Sequence, residues 1–131
     1  MSDKSTALMA KINILQARRD NLTQQLEVLF NAVQREDLRE TTASARKSYP
    51  ALTRIVYLFG DDATTGWAHR LIDTDGADIP GWEQTITPEG QMLQDAFPRI
   101  DAATPVDDLI AQGGVHTWEF AELDVDRILA L

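Results

Sequence analysis

The sequence predicts a mainly α protein, with a long amphipathic, coiled-coil-like N-terminal helix followed by a small helix-rich domain. An α+β arrangement with a short β-hairpin is the alternative. Leucine recurs every seventh residue, at Leu8, Leu15, Leu22 and Leu29, the spacing of a helix with a narrow apolar seam. No Gly or Pro occurs before Pro50, so nothing interrupts a helix begun near the start. Further on, Thr87-Pro88-Glu89 and Thr104-Pro105-Val106-Asp107 each place a capping residue before Pro and an acid, the chemistry of a helix start. The expected division is residues 1–48 as the heptad-patterned helix and 49–131 as a compact acidic region.

The first helix is capped by Asp3 or Ser5 and runs at least to Gln34. Read as abcdefg, the four leucines take d, while Ile12, Arg19, Leu26 and Val33 take a. The candidate oligomerisation residues are therefore Leu8, Ile12, Leu15, Arg19, Leu22, Leu26, Leu29 and Val33. Leu at d with Ile or Val at a resembles a parallel dimer. The flanks do not: positions e (Met9, Gln16, Thr23, Phe30) and g (Lys11, Arg18, Gln25, Ala32) hold no acid to pair with Lys11 or Arg18. Ile14, Val28 and Phe30 widen the apolar face, which suits a bundle. The seam serves either its own domain or a second chain, with a dimer the favoured assembly. Arg19 either lays its methylene stem along the seam with its head in solvent or meets a carboxylate on a partner helix. Asp20 is expected to point elsewhere. Residues 35–48 are polar, so the helix either bends near Glu40 to Ser44 or continues to about Ser48. A continuous helix of ~45 residues would be ~68 Å long, far longer than a compact domain of this size, and would imply assembly.

Residues beyond Pro50 admit two readings. Leu52, Ile55, Val56 and Phe59 share a helical face, with Gly60 as C-cap. The β-branched and aromatic composition of Thr53 to Phe59 instead suits a strand, with WAHRLID as hairpin partner. Spacing favours the helix, and Trp67, Ala68, Leu71 and Ile72 repeat it behind Thr65. Asp73 to Gly81 is turn chemistry. Later helices are expected after Thr87 (Met92, Leu93, Ala96, Phe97 inward), after Thr104 (Val106, Leu109, Ile110) and after Thr117 (Trp118, Ala121, Val125, Ile128, Leu129). HTWEF is an alternative short strand.

Charge divides the chain. Residues 1–60 carry nine Lys and Arg against six Asp and Glu, a balance of +3; residues 61–131 carry three against fifteen, a balance of −12. Together they make the net −9. Such asymmetry suggests a partner surface. A length of 131 residues with 44% apolar composition is enough for a folded core. The absence of cysteine removes disulfide and thiolate chemistry and fits a reducing compartment. No apolar run approaches the roughly 18 residues of a membrane span, and the N-terminus lacks a signal-peptide core. The expectation is a cytoplasmic protein without membrane contact.

No catalytic constellation emerges. The serines lie in the first half without a G-x-S-x-G elbow. The one Gly pair, Gly113-Gly114, does not build a phosphate loop. His69 and His116 stand far apart outside any metal-ligand frame. Asp73-x-Asp75-Gly76-x-Asp78 fails as a calcium loop, because its sixth and twelfth positions are Asp78 and Gln84. The acidic balance opposes direct nucleic-acid binding. Neither an enzymatic activity nor a cofactor is expected. The tryptophans are read as core, except Trp82, which stands in a loop and is expected to be exposed. The candidate partner-binding residues are Asp61, Asp62, Asp73, Asp75, Asp78 and Trp82.

The expected function is that of a non-enzymatic assembly or adaptor protein, self-associating through its first helix and holding another protein on its acidic half. The alternatives are a small acidic inhibitor, of the kind phages use, that mimics nucleic-acid charge on a basic host protein, or an acidic secretion chaperone.

Overall fold

The computed structural model describes residues 2–60, 65–101, 106–114, 117 and 119–131. The fold is α+β: one long helix, a small antiparallel sheet and short helices. The hairpin alternative is therefore the correct one, and the helix-rich reading of residues 49–131 is not. The expected opening at Thr104-Pro105 lies outside the described residues, as do His116 and Trp118. The chain divides into two compact units, Met1–Ala32 and Val33–Leu131.

Helix α1 spans Asp3–Ser48 without interruption, which decides between bending and continuing. Its cap is Ser2 rather than Asp3 or Ser5: the Ser2 hydroxyl oxygen accepts the Ser5 backbone N–H at 3.1 Å. Arg46 and Lys47 in the last turn complement the helix dipole. From Val33 onward the helix belongs to the second unit, where Leu38, Thr42 and Ala45 are buried.

The sheet has strand order β3-β2-β1-β4, with β1 Leu52–Phe59, β2 Thr65–Asp73, β3 Ile100–Asp101 and β4 Phe120–Asp124. All neighbours are antiparallel. The helical reading of residues 52–72 fails for a specific reason. Leu52 pairs with Asp73 but Arg54 with Ile72, so Thr53 is an extra residue on β1; Val56 pairs with Arg70 but Tyr57 with Ala68, so His69 is an extra residue on β2. A bulge shifts the two-residue alternation by one. Leu52 and Ile55 therefore both reach the core although three apart, as do Ala68 and Leu71. Spacing of three is also the helical signature. The first bulge is held by the Thr53 hydroxyl, which donates to the Asp73 carbonyl at 2.9 Å. Gly60, expected as a helix cap, instead donates its N–H to the Thr65 carbonyl at 3.1 Å in the hairpin.

The remaining elements are shorter than their start signals imply. Thr87-Pro88-Glu89-Gly90 is a β-turn closed from the Gly90 N–H to the Thr87 carbonyl at 2.9 Å. Proline's fixed φ suits position i+1 of that turn as well as it suits a first helical turn, and Gly90 at φ 85° turns the chain out of helix. Helix α2 is only Leu93–Ala96. Asp107–Leu109 is a single 3-10 turn. Residues 120–124, expected as helix after Thr117, form β4. The Thr117 hydroxyl accepts the N–H groups of Glu119 and Phe120 at 3.2 Å and so organises a turn ahead of the strand. Only Val125–Leu129 is helical (α3), capped by the Asp124 carboxylate on the Arg127 N–H at 3.2 Å.

The core joins the end of α1 to one sheet face: Leu38, Ala45, Ile55, Tyr57, Leu71, Leu123, Val125 and Ile128 are almost wholly buried. Trp82 is 2% exposed and meets Phe97 edge-on at 6.0 Å. Tyr57 is buried with its hydroxyl donating to the Pro98 carbonyl at 2.9 Å, and burial pushes that phenol well above its ordinary pKa. Charged pairs fasten the rim of this unit: Arg35 to Asp108 at 2.7 Å, Arg46 to Asp126 at 2.6 Å and Arg54 to Glu122 at 2.9 Å.

Two predictions follow from the packing of α1. Leu38→Ala should lower unfolding stability by about 2–5 kcal/mol through the cavity it leaves. The Thr42 hydroxyl is buried without a hydrogen-bond partner among the described residues, so Thr42→Val should raise stability by about 1 kcal/mol; urea unfolding of the full chain checks both signs. The third concerns Asp108, whose carboxyl is held below its ordinary pKa by hydrogen bonds from Arg35. A depressed folded-state value stabilises the fold above the ordinary carboxylate value, about pH 3.9. That contribution disappears as pH falls through the lowered value. Asp108→Asn should therefore cost up to about 1 kcal/mol at pH 7, as for an exposed pair, and the gap to the parent should close below about pH 4. Urea titrations across pH measure it.

Candidate assembly interface

Within Met1–Ala32 no described side chain is buried. The helix there is rich in Leu, Ala, Gln, Lys and Arg, all good helix formers. Most helical stability in proteins nevertheless comes from covering an apolar face, and this face has no cover within its own unit. The seven apolar members of the seam, Leu8, Ile12, Leu15, Leu22, Leu26, Leu29 and Val33, are all exposed, as are Met9, Ile14, Val28 and Phe30 beside them, at 45–67% of their surface.

Eleven large apolar side chains exposed to this degree present on the order of 1,000 Å², at roughly 100 Å² apiece, against the ~300–600 Å² of the largest patch on an ordinary monomer. The amount matches the roughly 800 Å² per partner that a standard protein–protein interface buries. The seam also stops where the folded unit begins to use the helix. Counted on from Val33, Leu38, Thr42 and Ala45 fall at f, c and f. The core therefore takes a stripe other than a/d, and the seam is not its continuation.

Arg19 interrupts the apolar row. Its guanidinium lies 3.5 Å from the Asp20 carboxylate, and both side chains are largely in solvent. Asp20 is thus within reach, contrary to the expectation that it points away: the long arginine arm turns back to its neighbour. An exposed pair of this kind stabilises little. Its effect is to put a counter-charge beside the one cation on the seam. The Thr23 hydroxyl donates to the Arg19 carbonyl at 3.0 Å, a bond internal to the helix.

The other candidate residues are placed differently. Asp61 and Asp62 lie outside the described residues. Asp73 organises its turn, its carboxylate accepting the N–H groups of Asp75 and Ala77 at 2.9 and 3.0 Å. Gly76 takes φ 79° to close that turn. Asp78 is paired with Arg70 at 2.6 Å. Asp75 is exposed at the tip. The expected exposure of Trp82 is overturned, since the 3-10 turn Trp82–Gln84 carries it into the core. Among the described residues the exposed tryptophan is Trp67, at 42%. It points outward from β2 between inward-facing Gly66 and Ala68. Once residues 65–73 are recognised as a strand, that alternation of small and large residues identifies it.

Trp67 borders an open cleft of about 910 Å³, lined also by Asp37, Asp95, Phe97 and Arg99. Among the described residues no three His, Cys, Asp or Glu side chains gather where a metal could be held, and no helix is long and apolar enough to cross a membrane. Comparison with protein-family models, characterised proteins and solved structures finds no match to this chain.

Proposed function

We propose that this chain is a non-enzymatic assembly protein in which two copies associate through Leu8 to Val33 and display two acidic folded domains. The carrying observation is the heptad seam, with every apolar position exposed, on an uninterrupted helix that has no cover in its own unit. Water-exposed apolar surface of this extent is costly, and a second helix with the same pattern covers it. A second copy is always available and has the same spacing, whereas any other occupant must match a seam broken by an arginine. Residues 33–131 carry eight Lys and Arg against 18 Asp and Glu. The assembled pair would thus present two domains of strongly negative charge, and a basic protein is the complementary partner.

Light scattering on the full chain should give about twice 14.6 kDa at micromolar concentration. Leu15→Asp combined with Leu22→Asp should weaken association at least about a hundredfold, because each lost buried leucine costs about 2 kcal/mol or more and 1.4 kcal/mol is tenfold. The doubly substituted chain should retain the urea midpoint of its folded domain, since both positions lie outside that unit. A single-chain mass for the unsubstituted protein would overturn the proposal.

A further inference from the structure

We infer that the two copies run antiparallel, about a two-fold axis between Asp20 and Asn21; this rests on the assembly reading above. In a parallel pair each a residue faces its own copy, so Arg19 meets Arg19 in one core layer. Arg18, at g, then faces Thr23 of the second copy, and no acid stands at any e or g position of the stretch to offset the four neighbouring guanidiniums. In an antiparallel pair each a residue faces a d residue. One register then uses the whole seam: Ile12 faces Leu29 of the second copy, Arg19 faces Leu22, Leu26 faces Leu15 and Val33 faces Leu8. Sliding by one heptad in either direction leaves two seam residues of each copy without a partner in the stretch.

This register treats the awkward residues better in three respects. Arg19 packs its methylene stem on a leucine, staggered from its copy in the next layer, with its head beside its own Asp20. Arg18 faces Gln25, whose side-chain oxygen can accept its hydrogen bonds. Met9, exposed at one end of the e row, faces Phe30 at the other end, so both gain apolar cover that a parallel pair denies them. There Met9 has no g residue of the helix opposite it except the polar Lys4, and Phe30 faces Gln25. The apolar flank that looks too wide for a parallel two-stranded seam is thereby taken up at both ends of the antiparallel one. The two Val33 residues, where the folded units begin, then lie about 38 Å apart along the axis.

The chain has no cysteine, so one introduced thiol is a unique attachment point. Ala10 and Ala17 are exposed f positions away from the seam. Ala10→Cys and Ala17→Cys, each carrying a nitroxide in the full chain, would be measured by dipolar spectroscopy, with mass determined on the same samples. Antiparallel pairing predicts an axial separation of about 32 Å at residue 10, falling to about 10 Å at residue 17. A two-chain mass with the same short distance at both sites would make the pair parallel, overturning the orientation and leaving assembly intact. A two-chain mass or larger with short and long distances together at residue 10 would also overturn a single antiparallel pairing. A one-chain mass with no inter-spin distance would remove the assembly reading itself.

Discussion

The burial of Leu38, Thr42 and Ala45, with Leu38 and Ala45 in one core cluster with the inward residues of the sheet, ties the last turns of α1 into the folded unit, and the rest of the organisation depends on that attachment. These residues use the f and c positions of the heptad count, leaving a and d to the preceding stretch. A helix can serve two burial demands on two stripes because its side chains project all round the axis. The ion pairs from Arg35 to Asp108 and from Arg46 to Asp126 secure the same segment at its edges, with the Thr41 hydroxyl donating to the Ala96 carbonyl at 3.0 Å between them.

Long-period features were legible in the sequence. The leucine repeat and the lack of any helix breaker before Pro50 specify α1, and the polar run after Gln34 does not end it because its Arg, Glu, Lys and Ala are compatible with helix. The cap, by contrast, lies one residue before the nearest expected position, within the usual uncertainty of helix ends. In the second half, start signals were read correctly as local chemistry and wrongly as elements. Pro88 sits in a tight turn, and Thr117 caps a turn before a strand. A cap reports the first turn and says nothing about length. What continues an element is tertiary burial, which single residues do not encode.

The candidate interface was more legible than the acidic surface. Periodicity alone finds seam residues, and their exposure adds that the folded unit does not cover them. Individual aspartates carry no such signature, and the structure uses two of them internally: Asp73 for its turn and Asp78 for Arg70. Trp82 and Trp67 exchange their expected environments because loop and strand assignments were exchanged around them.

The paired bulges on the hairpin have a consequence for how the gene tolerates change. Thr53 adds a residue to β1 and His69 adds one to β2, so the register that begins at Leu52 with Asp73 is restored from Tyr57 with Ala68 onward. Each extra residue has no partner on the strand opposite, so loss of Thr53 or of His69 leaves every remaining pair of the ladder in place and removes only a local bend. Loss of any paired residue between Leu52 and Asp73 instead shifts the strand by one and turns inward residues out. The hairpin thus carries two positions at which a codon can be lost without exchanging its faces.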